Sequence, residues 1–147
     1  MYIHRRTIRF GETDAARIVY TVRFFDYALD AIDSWYADVL GADWYALNTT
    51  RGMTCPFVHA ELDFTAPLRP GDLLETSVAV SRMGRSSLSF RVEGNVRGVT
   101  AFVGDFTVVF TGLATMKSMA IPGEFVDKID QYRQACAGAG SKTGKEG

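Results

Sequence analysis

Residues 22–40, VRFFDYALDAIDSWYADVL, carry the pattern that decides the fold. Val22, Phe25, Leu29, Ile32, Tyr36 and Val39 recur three and four positions apart, the repeat of one helix face. Phe24, Tyr27 and Trp35 fall off that stripe, so the helix is apolar well beyond one face and needs a partner that wraps it. Thr21 stands where an N-cap hydroxyl would meet a free amide of the first turn. Gly41 stands where a helix end calls for a left-handed residue. At about 1.5 Å per residue the helix would run about 28 Å, long for so short a chain.

What surrounds this helix reads as strands. Residues 2–10 form one, with Tyr2, Ile8 and Phe10 apolar among basic neighbours. Downstream, Val58, Ala60, Leu62 and Phe64 alternate with His59, Glu61 and Asp63. Leu74, Thr76, Val78 and Val80, then Leu88, Phe90 and Val92, then Phe102, Phe106, Val108 and Phe110 repeat the pattern. Turn signals divide them: Arg69-Pro70-Gly71-Asp72, Met83-Gly84, Gly98 and Gly112. Residues 122–136 read as a short closing helix that starts at Pro122. Successive strands joined by tight turns favour an antiparallel sheet. The expected class is α+β, with an antiparallel sheet wrapped around one long helix.

The 147 residues are 47% hydrophobic and carry 16 basic against 17 acidic side chains. That composition excludes global disorder and a disulfide scaffold, and the near-neutral balance argues against a nucleic-acid partner. No apolar run approaches the ~18 residues of a membrane span, and the charged N-terminus lacks the apolar region of a signal peptide. Cys55 and Cys136 read as free thiols of a cytoplasmic protein. One domain is expected over residues 1–136, with the Gly-rich residues 137–147 as a disordered tail. A small, aromatic-rich, near-neutral chain is also expected to keep apolar surface for a second copy of itself.

For chemistry, absences narrow the field. There is no Gly-x-Ser-x-Gly elbow, Walker loop or dinucleotide fingerprint. Two His and two Cys, none at ligand spacing, argue against a metal site. The stretch Phe10-Gly11-Glu12-Thr13-Asp14-Ala15-Ala16-Arg17-Ile18-Val19-Tyr20 is more informative. It places a carboxylate, Asp14, a few residues ahead of a helix start, where unpaired amides and the positive dipole end lie. Such amides polarise a carbonyl, and a carboxylate beside a polarised carbonyl is the minimum equipment for hydrolysing an activated ester. By spacing alone, the commoner role of such an acid is a turn or cap residue.

FGETDAARIVY resembles the signature of the 4-hydroxybenzoyl-CoA thioesterase family, hotdog-fold acyl-CoA thioesterases. Leu62-Asp63-Phe64-Thr65-Ala66-Pro67 through Asp72 is similar to that family's strand and turn, and Met83-Gly84-Arg85-Ser86-Ser87-Leu88 to its hairpin. The likeness covers about residues 3–130. It implies hydrolysis of an acyl-CoA, without cofactor or metal, by Asp14 as nucleophile or general base, with the backbone N–H at Thr21 holding the carbonyl oxygen. It implies substrate contacts from Tyr20, Asp30, Phe57 and His59, and CoA contacts from Arg82, Arg85 and Ser86. An aromatic acyl group such as 4-hydroxybenzoyl or benzoyl is expected; a short aliphatic acyl group, or a module that binds acyl-CoA or acyl-carrier protein without turnover, is the alternative. A hydratase would want a histidine in the loop, which has none. Asp26, Asp30 and Asp33 also read as one solvated helix face, and His59 as a structural residue on the polar side of its strand. The family pairs into dimers or tetramers with clefts between subunits. Two departures matter: Arg17 stands where the family has Gly, so Arg17 must adopt that residue's backbone conformation, and Leu29 stands where relatives carry a helix acid, with Asp30 one residue away.

Overall fold

The computed structural model describes residues 1–142, with side chains described to residue 139. Strand β1 (Tyr2–Thr7) leads through a single 3-10 turn (Phe10–Glu12) and a loop into helix α1 (Arg23–Trp35). A π-helical turn (Tyr36–Leu40) extends α1, and Gly41, at φ +78°, ends it in the left-handed conformation expected there. Lys128 Nζ donates to the Leu40 carbonyl at 3.0 Å, covering that end. Thr21 is not the cap: Val22 holds that position and no side chain caps the helix. A short helix α2 (Trp44–Thr50) follows, which the sequence pattern does not announce. Then come β2 (Met53–Thr54), β3 (Phe57–Phe64), β4 (Leu73–Met83), β5 (Ser87–Val96), β6 (Val99–Val109), β7 (Thr111–Gly112) and helix α3 (Gly123–Lys142). The closing helix thus runs on past residue 136. Residues 137–142, expected in a disordered tail, are helical, and the rest of that stretch lies outside the described residues.

Five strands form one antiparallel sheet in the order β1-β4-β5-β6-β3, and β2 and β7 pair separately. The sheet curves around α1 as expected, but the helix is rotated from its periodic stripe. Phe24, Tyr27, Ala28, Ala31, Ile32, Trp35 and Tyr36 are buried, whereas Phe25 and Leu29 are only partly so and Val22 is exposed. Ala28 and Ala31 decide this, because small side chains let the helix axis approach the sheet and bring Trp35 onto Phe90, ring centroids 5.0 Å apart. The opposite sheet face is polar, with Arg91 bonded to Asp105 at 2.7 Å and Ser89 to Thr107 at 2.8 Å.

The register gives the sheet two ends. Thr7, Leu73, Val96, Val99 and Phe64 lie at one, and Met83, Ser87, Val109 and Phe57 at the other. The start of α1 sits at the first, with Phe24 packed edge-on against Phe64 and Phe102. Gly94 makes that packing possible, since a Cβ there would stand 2.3 Å from the Phe102 ring. Strand β3 is an edge strand. A bulge at its start displaces Val58, which is 63% exposed rather than in the core, while Ala60, Leu62 and Phe64 keep the helix-facing side. Among the described residues no helix is long and apolar enough to cross a membrane.

Candidate functional site

The polar stretch ahead of α1 folds into a small closed loop. Thr13 bridges Val19, and the Asp14 N–H donates to the Ile18 carbonyl at 3.0 Å. Within the loop the Ala16 N–H donates to Asp14 Oδ1 at 2.8 Å, an Asx turn that holds the carboxylate by one oxygen and leaves the other open to solvent. Arg17 lies at φ +62°, so it adopts the left-handed conformation its position demands, at a cost of about 1–2 kcal/mol for a residue with a Cβ.

Below the loop, the Val19 N–H donates to the Leu68 carbonyl at 2.8 Å. This ties the loop to the turn after β3. Between them opens a cleft of about 350 Å³ lined by Ile18, Val19, Thr21, Phe24 and residues 64–67. Among the described residues, the N–H groups of Thr21 and Val22 have no hydrogen-bond partner. They sit just before the first turn of α1, where the helix dipole is positive. Asp14 does not line this cleft itself. Ile18, its ladder partner, does.

What anchors the loop is a residue to which the sequence reading gave no role. Glu12 is nearly buried and its Oε1 accepts from both Arg6 and the Tyr27 hydroxyl, the latter at 3.0 Å; its Oε2 accepts the Arg9 N–H at 2.6 Å. Arg6 also stacks on the Tyr27 ring, 4.5 Å from its centroid. Burial and the neighbouring carboxylate push the Tyr27 hydroxyl well above its usual range. The group therefore stays a hydrogen-bond donor across the working pH range. Glu12 thus joins β1, the Asp14 loop and α1. Arg9 is three positions away, but Arg6 and Tyr27 are six and fifteen away, so no local pattern reveals the link to β1 and α1.

Glu12→Gln presents one acceptor where two are used, and sets an amide N–H against the Arg9 N–H. The expected cost is about 2–3 kcal/mol, less than for a fully buried pair because Arg6 retains Asp30. Denaturant unfolding checks the loss, and an unchanged midpoint would show that Glu12 does not hold the loop.

The other expected site residues do not gather here. Tyr20 is at the cleft margin and 56% exposed. Asp30 is drawn away, its Oδ2 3.4 Å from Arg6 Nη1 on the β1 side of the helix, so it does not line the cleft. Phe57 lies at the far end of β3, where it packs on Trp44 and lines a separate pocket of about 240 Å³ with Leu47, Asn48, Thr54 and Cys55. Seven strand steps of about 3.3 Å part it from Phe64. His59 is on the polar sheet face, its Nε2 3.6 Å from Glu61. Arg82, Arg85 and Ser86 belong to the hairpin at that same far end, where Ser86 and Arg85 carbonyls accept from Phe110 and Ile121. Within one protomer, then, the Asp14 loop and the Arg82–Ser86 hairpin are at opposite ends of the sheet. The physical reason is strand direction: β1 runs into the Asp14 loop beside the start of β4, and the hairpin closes the other end of β4.

A sheet wrapped on a central helix, with a carboxylate loop and free amides where that helix begins, defines a hotdog-type protein. Residues 8–129 match the model of the thioesterase-like superfamily, and the chain belongs to that superfamily. A crystal structure of a thioesterase-superfamily protein from Jannaschia sp. CCS1 is 36% identical, covering 88% of this chain and 91% of that one, with a TM-score of 0.84. A 1,4-dihydroxy-2-naphthoyl-CoA hydrolase of Synechococcus elongatus is 37% identical over 93 residues, 63% of this chain and 66% of the relative. The chain thus spans just under two thirds of that relative's length. The Nostoc punctiforme protein of the same name is 27% identical over 99% of this chain and 97% of its own. The Synechococcus and Nostoc relatives broaden the resemblance read from the motifs: they are named for a dihydroxynaphthoyl ester, not a 4-hydroxybenzoyl one.

Proposed function

We propose that this protein hydrolyses an aromatic acyl-CoA to the free acid and CoA. The observation that carries the reading is the pair of unpartnered N–H groups at Thr21 and Val22 beside a cleft, with the Asp14 loop closing over its Ile18 wall. The thioester carbonyl oxygen accepts from these amides, which stabilise the oxyanion as it forms; one such donor is worth a factor of about 10²–10³. Asp14 attacks the carbonyl carbon through its free oxygen, the C–S bond breaks, and CoA leaves as thiolate. Water then opens the mixed anhydride, returning the carboxylate. General-base delivery of water by the same oxygen gives the same products. No metal or cofactor takes part in this proposal, and the free thiols of Cys55 and Cys136 suit a cytoplasmic site of action.

The working unit is at least a dimer. The β3 edge is uncovered in one protomer, with Val58 and Phe64 exposed, and a long bare edge calls for a partner. Two-fold antiparallel pairing of two β3 edges lays the Phe57 end of one copy beside the Phe64 end of the other. That arrangement brings Phe57, His59, Arg82, Arg85 and Ser86 of a second copy toward the cleft at Thr21, with Tyr20 at its margin. It reconciles one set of motifs with two separated ends.

The acyl group is aromatic, either 1,4-dihydroxy-2-naphthoyl, for which the Synechococcus and Nostoc relatives are named, or a smaller hydroxybenzoyl type, received against Phe24 and Phe64. The test is release of free thiol by purified protein from a panel of CoA esters. Dihydroxynaphthoyl or hydroxybenzoyl esters are expected to turn over at least tenfold faster, in kcat/KM, than acetyl to octanoyl esters. A reversed preference would assign an aliphatic substrate, and binding without thiol release would make the protein a binding module.

A further inference from the structure

The acyl cleft is shaped from behind by a residue that does not line it. Gly94 lies buried in β5, on the helix-facing side of the sheet, with Phe102 of β6 as its ladder partner. Its φ lies outside the left-handed region, so neither its own backbone nor the register shift that follows at Asn95 requires glycine. A glycine inside a strand forfeits packing, and a close approach is what it gives in return. Here an aromatic ring makes the approach: a Cβ at 94 would stand closer than 3.0 Å to three atoms of the Phe102 ring. That ring is edge-on to Phe24, centroids 5.7 Å apart, and Phe24 is edge-on to Phe64 at 5.1 Å. Phe24 and Phe64 both line the cleft. Two more of its wall residues are tied beside Phe102, since the Thr65 and Ala66 N–H groups donate to the Ala101 carbonyl at 2.8 and 3.2 Å. Gly104 on β6 differs. A Cβ there would strike the Glu61 carbonyl oxygen, so backbone fixes that glycine, whereas a movable side chain fixes Gly94.

We infer that Gly94 sets the depth of the acyl cleft and thereby admits a two-ring acyl group. The inference rests on the thioesterase reading above and deepens it, by naming what chooses between the naphthoyl and hydroxybenzoyl classes. In the strand order β5-β6-β3, Phe102 stands between Gly94 and Phe64. Close-packed rings do not absorb an added methyl in place. A side chain at 94 drives the Phe102 ring away from β5, onto Phe24 and Phe64. These yield into the cleft, which is open, rather than into the core, which is full. The space lost is at the cleft floor, beyond the Thr21 and Val22 amides that meet the carbonyl. A single ring on that carbonyl ends short of the floor, and a fused second ring reaches it. Gly94 is thus a positioning residue that acts through Phe102 and touches no substrate.

The experiment measures kcat and KM for 1,4-dihydroxy-2-naphthoyl-CoA and for 4-hydroxybenzoyl-CoA. The proteins are the parent, Gly94→Ala, Phe102→Leu and the double variant, with thermal unfolding of each. Gly94→Ala is expected to cut the naphthoyl-over-hydroxybenzoyl ratio of kcat/KM by about tenfold or more, the scale of one misfitting methylene in an apolar pocket. The loss should fall on the naphthoyl KM, with the hydroxybenzoyl kcat held within about threefold. Phe102→Leu removes the ring that the new Cβ strikes, so the double variant should return to within about threefold of the parent ratio. A glycine with only a structural role would lower both esters together and leave their ratio unmoved. That result overturns the inference, as does a ratio lost equally in the double variant. If Gly94→Ala does not fold, Phe102→Leu alone decides: a deeper floor raises the ratio at least threefold, and an unchanged ratio overturns the inference. A parent that hydrolyses the hydroxybenzoyl ester but not the naphthoyl one overturns it while leaving the thioesterase standing. A parent that hydrolyses neither removes the thioesterase reading and this one with it.

Discussion

Asp14→Asn is expected to lower kcat for aromatic CoA esters by at least about 10³-fold, the upper part of the range for a displaced acid–base group and fitting for a lost nucleophile. The substitution is nearly isosteric, and the side-chain oxygen can still accept the Ala16 N–H at the 2.8 Å seen for Asp14 Oδ1. The loop should therefore keep its shape, so KM should move little and the unfolding midpoint should hold. What disappears is the anionic second oxygen. An amide neither forms the anhydride nor takes a proton from water. Thiol release under saturating ester reads the effect directly. Activity within a few-fold of the parent would show that the carboxylate is an Asx-turn residue only, the commoner role for an acid ahead of a helix. Because Asp14 is exposed and outside the cleft lining of its own protomer, the ester must reach it across Ile18.

If the proposed β3–β3 dimer is the working unit, lysines at Val58 and Ala60 should separate its subunits and abolish hydrolysis together. Both positions are exposed in the single protomer and neither belongs to its buried core, although Ala60 is on the helix-facing side. In a β3–β3 pair, however, like charges face one another across the two-fold axis and destabilise the pairing. Sedimentation should show a shift from dimer or larger to monomer, with circular dichroism unchanged. Hydrolysis should fall at least about 10²-fold, the scale expected when positioning groups are displaced. An active monomer, of parent or variant, would refute an interfacial site and leave the Arg82 hairpin without a part in it.

Much of the fold was legible in the chain because its signals are local. Period-two alternation in 57–64, 73–83, 87–96 and 99–109 follows from strands with one wet face, and Gly41 and the Arg-Pro-Gly-Asp turn act through their own backbone angles. The helix was legible for the same reason, though not its rotation. Periodicity marks every apolar residue alike, and only the close seat of Ala28 and Ala31 against the sheet selects Phe24, Tyr27 and Trp35 over Val22 and Leu29. Helix α2 escaped because Trp44–Thr50 is too short for a period to show.

The site divides along the same line. The sequence by itself pointed to the Asp14 loop and the amides ahead of α1, since each depends on neighbours within a few positions, and the family resemblance pointed to the strained place of Arg17. Only the tertiary structure decided that Asp30 faces Arg6, that Glu12 is the loop's anchor, and that Phe57, His59, Arg82 and Ser86 stand a sheet's length from Asp14. It alone laid Phe102 over Gly94 and against Phe24, which lines the cleft. Charge pairing and cavity walls are long-range properties. They depend on which strands lie side by side and in which direction, and a residue's neighbours along the chain do not carry that information.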